Sequence, residues 1–148
     1  MKRILLLVLF AIGVSWSAAF AGERGTPDEA KAMAEKAAAY LKANGPEKAF
    51  PVFDAKDGGF VDRDLYVYVY DAKGTVVAHG TNPALIGKVM LDFKDVDGKA
   101  FIRESEAVKD TGWVDYKWQN PVTKTIEAKK TYIIRVGEYL VGVGAYAN

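Results

Sequence analysis

Apolar residues in the first part of the chain recur with the period of a helix. Between residues 26 and 44 the alanine, methionine and leucine positions return every three or four residues, which predicts a long amphipathic helix. Thr26, followed by Pro27 and by Glu29 three residues after the threonine, is typical of a helix start. The Asn-Gly-Pro sequence at residues 44–46 is typical of a helix end.

From residue 65 the apolar period changes to two, which indicates strands. Residues 65–70 alternate tyrosine with leucine or valine, and an Asp-Ala-Lys-Gly turn at 71–74 joins them to a return strand over 75–79. The remaining predicted elements are a short helix over 47–53 broken near Pro51, a loop over 80–87, a turn over 95–98 leading into a helix over 99–109, and strands over 112–118, 125–136 and 139–146. This order predicts an α+β domain in which a long N-terminal helix packs on a five-stranded antiparallel sheet.

The first 21 residues have the pattern of a secretory signal peptide. Two basic residues follow Met1, an apolar stretch comes next, and Ala19-Phe20-Ala21 matches a cleavage site before Gly22. An uncleaved membrane anchor is the alternative, but the apolar stretch is short for a bilayer and contains glycine and serines. We therefore expect a signal peptide at 1–21 and one domain at 22–148, exported to the periplasm.

Composition excludes several classes of chemistry. The 148 residues contain no cysteine, which rules out disulfides, thiolate nucleophiles and cysteine-ligated metals, and the single histidine, His79, rules out multi-histidine metal sites. Twenty basic against 19 acidic residues give no strong positive field, so nucleic acid is not an expected partner. Asp95, Asp97 and Glu104 have part of the spacing of a calcium loop, but Phe93 occupies the first ligand position and a turn is the simpler interpretation.

Eight short motifs occur in the order known from one family of sensory domains. They are residues 39–45, 65–71, 79–83, 85–88, 97–101, 112–116, the pair Lys129 and Tyr132, and residues 141–146. Together they resemble the single Cache domain of the second type, an extracytoplasmic ligand-sensing module of bacterial chemoreceptors and histidine kinases. The resemblance implies a PAS-like fold with a ligand pocket on the sheet face opposite the long helix. It also implies small organic ligands, prominently short carboxylates, no catalysis and no cofactor.

Tyrosines of the first strand and the single histidine are candidate pocket residues. Both faces of this strand are bulky, so the tyrosine face suits a pocket wall, with Tyr68 at its centre and with Tyr66 and Tyr70 in the pocket or at its rim. His79 follows on the return strand. It is interpreted either as a donor to a carboxylate or as a structural residue that bonds to the backbone.

The later strands supply the other candidates. Strict alternation places Tyr116 and Trp118 on one face, with Trp113 on the other unless a bulge intervenes. Lys129 and Lys130 are adjacent, so one points inward; the family pattern selects Lys129, with Tyr132 accompanying it in the pocket. A lysine in an aromatic pocket needs a counter-charge, which a carboxylate ligand would supply. Gly142 and Gly144 share a face, which indicates close approach of a ligand or of the tryptophans.

The sequence therefore predicts an exported, non-catalytic Cache domain that binds a short organic acid. It is expected to act through a separate membrane-bound sensor kinase or chemoreceptor, in chemotaxis or two-component signalling, and to form a homodimer through its N-terminal helix. The alternative is an accessory module that binds a membrane sensor or transporter protein and has a vestigial pocket.

Overall fold

The computed structural model describes residues 24–147, so the predicted signal peptide at 1–21 lies outside the described residues. Its helices are α1 (Pro27–Asn44), α2 (Pro46–Asp54) and α3 (Phe101–Glu106), with one 3-10 turn at Pro83–Leu85. Its strands are β1 (Val61–Asp62), β2 (Leu65–Tyr70), β3 (Val76–His79), β4 (Thr111–Gln119), β5 (Ile126–Val136) and β6 (Tyr139–Tyr146). Within residues 24–147, no helix combines the length and the apolar character that crossing a membrane requires.

All strand pairs of the described sheet are antiparallel. The first long strand, β2, pairs with the last strand, β6, near the centre of the sheet. The order is β1-β2-β6-β5-β4, and β3 also pairs with β2. The five predicted strands are confirmed, and the two-residue β1 is an addition. The α+β architecture with a long N-terminal helix on an antiparallel sheet is therefore as predicted.

Helix α1 begins and ends where the sequence predicts. The Thr26 hydroxyl accepts a hydrogen bond from the Glu29 backbone N–H at 3.2 Å, and the Glu29 carboxylate accepts from the Thr26 N–H at 2.8 Å. Gly45 follows the helix with a φ of 78°, which glycine adopts without steric cost. The buried side of α1 is mostly alanine, which lets the helix lie close to the sheet.

Two predicted helices differ from the observed ones. The short second helix continues through Pro51 to Asp54, because burial of Phe53 against Tyr40 and Phe60 holds its last turn in place. Helix α3 is shorter than the predicted 99–109, because the Asp95 carboxylate binds the N–H groups at its entrance and Arg135 binds the carbonyls at its exit.

The sheet separates two cores of different composition. On one face α1 and α2 cover valines, leucine and alanine of β2, β5 and β6. On the other face lie tyrosines of β2, β4 and β6, together with α3 and the segment between β3 and α3. The second face contains all three tyrosines of β2 together with the buried polar residues Lys129 and His79, so it positions the candidate site.

Candidate functional site

The tyrosines of β2 project from the sheet face opposite α1, as the period-two pattern predicts. Tyr66, Tyr68 and Tyr70 are each at most 5% exposed, and the intervening valines face α1. Both faces of β2 are buried, which explains why this strand contains no charged residue.

Lys129 on β5 lies inside an aromatic enclosure on this face. Its side chain is 2% exposed, and its Nζ atom donates a 2.8 Å hydrogen bond to the Tyr66 hydroxyl. We call the four surrounding tyrosines the tyrosine cage. The distances from Nζ to their ring centroids are 4.2 Å for Tyr66, 5.0 Å for Tyr146, 5.4 Å for Tyr68 and 5.8 Å for Tyr116. Contacts of this kind stabilise a cation through the ring quadrupole.

Lys129 forms no ion pair with a carboxylate of the described residues. Its burial lowers the pKa of the amine from 10.5 to about 7, and the charge of Asp64 opposes this shift. Asp64 is itself fully buried, but its oxygens accept hydrogen bonds from the Gly25 N–H and the Asn120 amide instead. The aromatic face therefore contains a cationic group whose counter-charge is not in contact with it.

The hydroxyl groups around Lys129 form a chain of defined direction. Tyr146 donates to the Gln119 carbonyl oxygen at 2.8 Å, so in its 3.2 Å contact with Tyr66 the Tyr66 hydroxyl must be the donor. Tyr66 then accepts from Lys129. A parallel chain runs from Thr131 through the Tyr116 hydroxyl to the Tyr68 hydroxyl. Among the described hydrogen bonds, the hydroxyl proton of Tyr68 has no acceptor.

The two glycines of β6 make room for these side chains. A methyl group at Gly142 would lie 2.6 Å from the Tyr68 hydroxyl oxygen, and one at Gly144 would lie 2.8 Å from Lys129 Cγ. Tyr68 and Lys129 are thus the groups that approach β6 closely. The expectation that a ligand or the tryptophans fill this space was wrong.

His79 at the end of β3 lies beside the cage, 4.9 Å from the Tyr66 ring centroid. Its Nδ1 atom accepts hydrogen bonds from the backbone N–H groups of Thr81 and Asn82, so the proton of the neutral ring is on Nε2. Burial and the charge of Lys129 lower the pKa of His79 to about 3. At physiological pH, His79 is therefore a neutral donor. Nε2 makes no hydrogen bond within residues 24–147. The structural interpretation of His79 is therefore met at Nδ1, and donation from Nε2 to a carboxylate stays a prediction.

A cavity of about 280 Å³ opens beside His79 and Tyr66. Its lining residues are Tyr66, His79, Thr81, Asn82, Trp118, Gln119, Pro121 and Lys124. At roughly 30 Å³ per water molecule, the volume corresponds to about nine waters, enough for a small organic molecule and some solvent. A larger hollow of about 420 Å³ lies at the free edge of β4. It is a surface groove whose lining is largely charged but includes Tyr116 and Lys129 of the aromatic face, and His79 is not part of it.

The structure divides the eight predicted site residues into three groups. Tyr66, His79 and Trp118 line the cavity. Tyr68, Tyr116 and Lys129 belong to the cage side of the cavity wall and do not line it directly.

Tyr132 lies on the other face of the sheet, contrary to its predicted place in the pocket. Trp113 lies on that face as well, as strict alternation predicts, and so it is not the pocket residue for which it was a candidate. They pack on each other at 4.8 Å between ring centroids, and Lys31 of α1 lies 5.5 Å from the Tyr132 ring. Strands β4 and β5 pair without interruption from Thr111 to Gln119, so no bulge turns Tyr132 toward Lys129.

Sequence reasoning missed the polar rim of the cavity and one cage tyrosine. Thr81 and Asn82 lie in a predicted loop, Gln119 is the last residue of β4, and Lys124 belongs to the β4–β5 turn. The sequence signal for Tyr146 was its place in the last strand, but only the pairing of Lys129 with Tyr146 brings its hydroxyl to the cage.

A buried polar network fixes the β4–β5 turn beside the cavity. The Asn120 amide donates to Asp64 at 3.2 Å and to Glu127 at 2.8 Å, and Arg24 forms an ion pair with Glu127 at 2.7 Å. The hydrogen bonds from Arg24 and Asn120 lower the pKa of Glu127 to about 2, against the opposing effect of burial. The cavity wall is therefore tied to the residues that precede α1.

Comparison of the sequence with known proteins identifies relatives of this chain. The model of the family described as single Cache domain 2 matches residues 17–148. The sensor histidine kinase MctS of Rhizobium johnstonii is 33% identical over 90 residues, which cover 58% of this chain and 20% of that protein. The methyl-accepting chemotaxis protein McpP of Pseudomonas putida is 29% identical over 92 residues, 59% of this chain and 17% of that protein. The chain thus spans about a fifth of the length of these curated relatives.

Solved structures of sensory domains share the fold. A methyl-accepting chemotaxis protein from Vibrio parahaemolyticus superposes with a TM-score of 0.68 at 22% identity, covering 80% of this chain and 86% of that chain. A Cache chemosensory domain, solved to explain carboxylic acid recognition, superposes with a TM-score of 0.63 at 23% identity, covering 82% and 88% of the two chains.

Proposed function

Because this chain belongs to the single Cache domain 2 family, we propose that it binds a short organic acid in the cavity beside His79. In this proposal the protein is an exported, periplasmic sensory domain, cleaved from a signal peptide at 1–21 and consisting of one Cache domain at 22–148. It performs no catalysis. Ligand occupancy is passed to a separate membrane-bound chemoreceptor or sensor kinase.

One observation carries this proposal. On the sheet face opposite α1, several hydrogen-bond donors have no acceptor or carboxylate partner among the described residues. Nε2–H of His79, the hydroxyl of Tyr68 and the amine of Lys129 all have donor capacity that the described residues leave unused. A carboxylate is acceptor-only and negatively charged, so it complements this set in both respects. A cationic or donor-rich ligand would add to the donor excess and to the positive charge.

Aromatic side chains supply the apolar part of the site. Trp118 and the Tyr66 ring line the cavity, while Phe101 stacks on Tyr116 at 4.0 Å between ring centroids and closes the cage from the α3 side. Such walls exclude water and strengthen the hydrogen bonds made inside. The limited volume favours acids of a few carbon atoms, such as acetate, propionate, pyruvate or lactate.

Thermal unfolding with a ligand panel tests the proposal. The panel contains the four acids named above, their amides where these exist, amino acids, amines and urea. A ligand present at a hundredfold excess over its dissociation constant stabilises the folded protein by about 2.7 kcal/mol, which shifts the unfolding midpoint visibly. The proposal requires a shift with at least one acid and none with its amide. Equal shifts for acid and amide would contradict it.

Two substitutions of His79 separate its two hydrogen-bonding roles. In His79→Asn, the amide oxygen can replace Nδ1 as the acceptor for Thr81 and Asn82, but the donor at the Nε2 position is lost. We expect this variant to bind the acid about 5- to 10-fold more weakly, the value of one ordinary hydrogen bond, with little change in stability. His79→Gln is the matched control, because it keeps a donor near the Nε2 position and loses the loop acceptor. A purely structural histidine would give the opposite ranking of affinities.

Exposed apolar side chains favour one second candidate. Val89, Phe93 and Val96, between β3 and α3, are 68%, 46% and 67% exposed. In this second candidate function, a membrane sensor or transporter protein binds over these side chains, and the cavity of this domain is vestigial. This candidate predicts that no small molecule shifts the unfolding midpoint, and that a complex with the partner protein is lost in the double variant Val89→Ser/Val96→Ser.

Dimerisation through the solvent-exposed side of α1 is part of the first proposal. Sedimentation of the purified protein checks it.

A further inference from the structure

We propose that Lys129 is uncharged in the empty site at mildly alkaline pH and takes up one proton when the acid binds. The inference rests on the proposed function and adds a regulatory property to the same site: affinity for the acid falls as the pH rises. The bound state then contains an ammonium and a carboxylate, whereas the empty state contains a neutral amine.

The geometry around Nζ explains why the empty site disfavours the charge. The amine is fully enclosed, and its one hydrogen bond is to a phenol oxygen, so the charged form would lack the solvation that water provides. Titratable and charged groups that surround it come from every neighbouring element: Tyr66 and Tyr68 on β2, His79 on β3, Tyr116 on β4, Tyr146 on β6 and Asp64 just before β2. The acids nearby are Asp64 and Glu127. Both are bonded elsewhere, Asp64 to Gly25 and Asn120 and Glu127 to Arg24 and Asn120.

The other bases and phenols do not titrate in the same range. Burial raises the pKa values of Tyr66, Tyr68 and Tyr116 above that of free tyrosine, and His79 titrates at about 3. The pKa of Lys129, at about 7, therefore stands alone among them between pH 6 and pH 9. A proton taken up on ligand binding between pH 6 and pH 9 is therefore assigned to Lys129.

An acid in the cavity acts on Lys129 through Tyr66. The Tyr66 side chain lines the cavity, and its hydroxyl oxygen is the acceptor of the Lys129 hydrogen bond. A negative charge beside Tyr66 favours the ammonium form by direct attraction and by polarising the shared hydroxyl. Because protons and ligand then bind together, the association constant falls about tenfold for each pH unit above the pKa of the empty site.

Titration calorimetry with propionate and pyruvate between pH 6 and pH 9, in phosphate and in Tris, measures the proton directly. We expect an uptake close to one proton per ligand at pH 8, little uptake at pH 6, and about tenfold weaker affinity at pH 8.5 than at pH 7.5. Lys130→Met is the control, since Lys130 lies on the other sheet face over Trp113, and it should keep the full pH dependence.

The possible outcomes separate this inference from the proposed function. Binding with constant affinity and no buffer dependence would overturn the proton uptake and leave the proposed function standing. Binding by neither acid at any pH would overturn the uptake and would count against the proposed function as well.

A ligand-free measurement tests the amine itself. The folded protein binds the Lys129 proton with a pKa of about 7 and the unfolded chain with a pKa near 10.5, so the unfolded state holds more protons between these values. Stability relative to Lys129→Met should therefore rise as the pH increases from 7 to 10 and should stay constant below pH 7, where both states hold the proton. A constant difference between the two proteins over this range would contradict the lowered pKa.

Discussion

Replacing Lys129 by methionine is expected to weaken acid binding about 10- to 100-fold at pH 7 while leaving the fold intact. Methionine fills a similar space but removes the charge and its hydrogen bond to the Tyr66 hydroxyl, through which Lys129 acts on the acid. A hydrogen bond to a charged group contributes about 1.5–3 kcal/mol. Because the buried amine has no ion-pair partner among the described residues, its removal should also raise or preserve the unfolding temperature of the empty protein. Calorimetry gives the affinity, and thermal unfolding of the same sample checks the fold.

The neighbouring lysine provides the matched control for this substitution. Lys130 is exposed and lies on the face of α1, so Lys130→Met removes the same charge from the sequence without altering the cage. Its affinity should stay within about twofold of the wild type, since exposed charges contribute little. Wild-type affinity in Lys129→Met would reject the role of Lys129 in binding.

Substituting Gly144 by alanine is expected to reduce stability by about 1–3 kcal/mol, the usual range for overpacking a filled core. The added methyl group would overlap the Thr131 hydroxyl and lie 2.8 Å from Lys129 Cγ. The methyl group would also meet Lys129 Cε, which can shift with the flexible end of that side chain, but the Thr131 hydroxyl and Lys129 Cγ are held close to the β5 backbone. Lys129 must then move within the cage, and acid binding should weaken as well. Urea unfolding gives the change in stability.

Gly112→Ala tests whether this effect is local. Gly112 is also in a strand, but a methyl group there would meet only Val108, with the nearest atom at 3.3 Å. We expect a clearly smaller loss of stability and unchanged affinity. Equal losses in the two alanine variants would indicate a general cost of replacing strand glycines and would contradict the close packing of Lys129 over Gly144.

Local patterns in the sequence predicted the elements that depend on neighbouring residues. The alternation in β2 was sufficient to place Tyr66 and Tyr68 opposite α1. Successive side chains of a strand point to opposite faces, so once the leucine and valines pack on α1 the tyrosines must lie in the other core. The capping residues Thr26 and Glu29 also predicted the start of α1 from local sequence, because both hydrogen-bonding partners lie within one helical turn.

Strand pairing determined what the sequence pattern could not. A spacing of three puts Lys129 and Tyr132 on opposite faces of a regular strand, and the continuous β4–β5 pairing leaves no irregularity that would reverse this. The choice of Tyr132 followed the family pattern and not the strand geometry. Tyr146 reaches Lys129 only through the register between β5 and β6, which no local pattern specifies.

The polar rim of the cavity depends on contacts between distant parts of the chain. Asn120 reaches Asp64 across 56 residues of sequence, and this contact holds the turn that presents Gln119 to the cavity. In the sequence these residues are ordinary turn formers. Their role becomes visible only when the sheet brings the β4–β5 turn beside the end of β3.

A crystal structure of the protein with the acid that gives the largest thermal shift tests the central claim most directly. We expect one acid molecule in the cavity beside Tyr66, with a carboxylate oxygen within hydrogen-bond distance of His79 Nε2 and with its carbon atoms against Trp118. An acid bound at the free edge of β4, or one whose carboxylate points away from both His79 and the tyrosine cage, would contradict it.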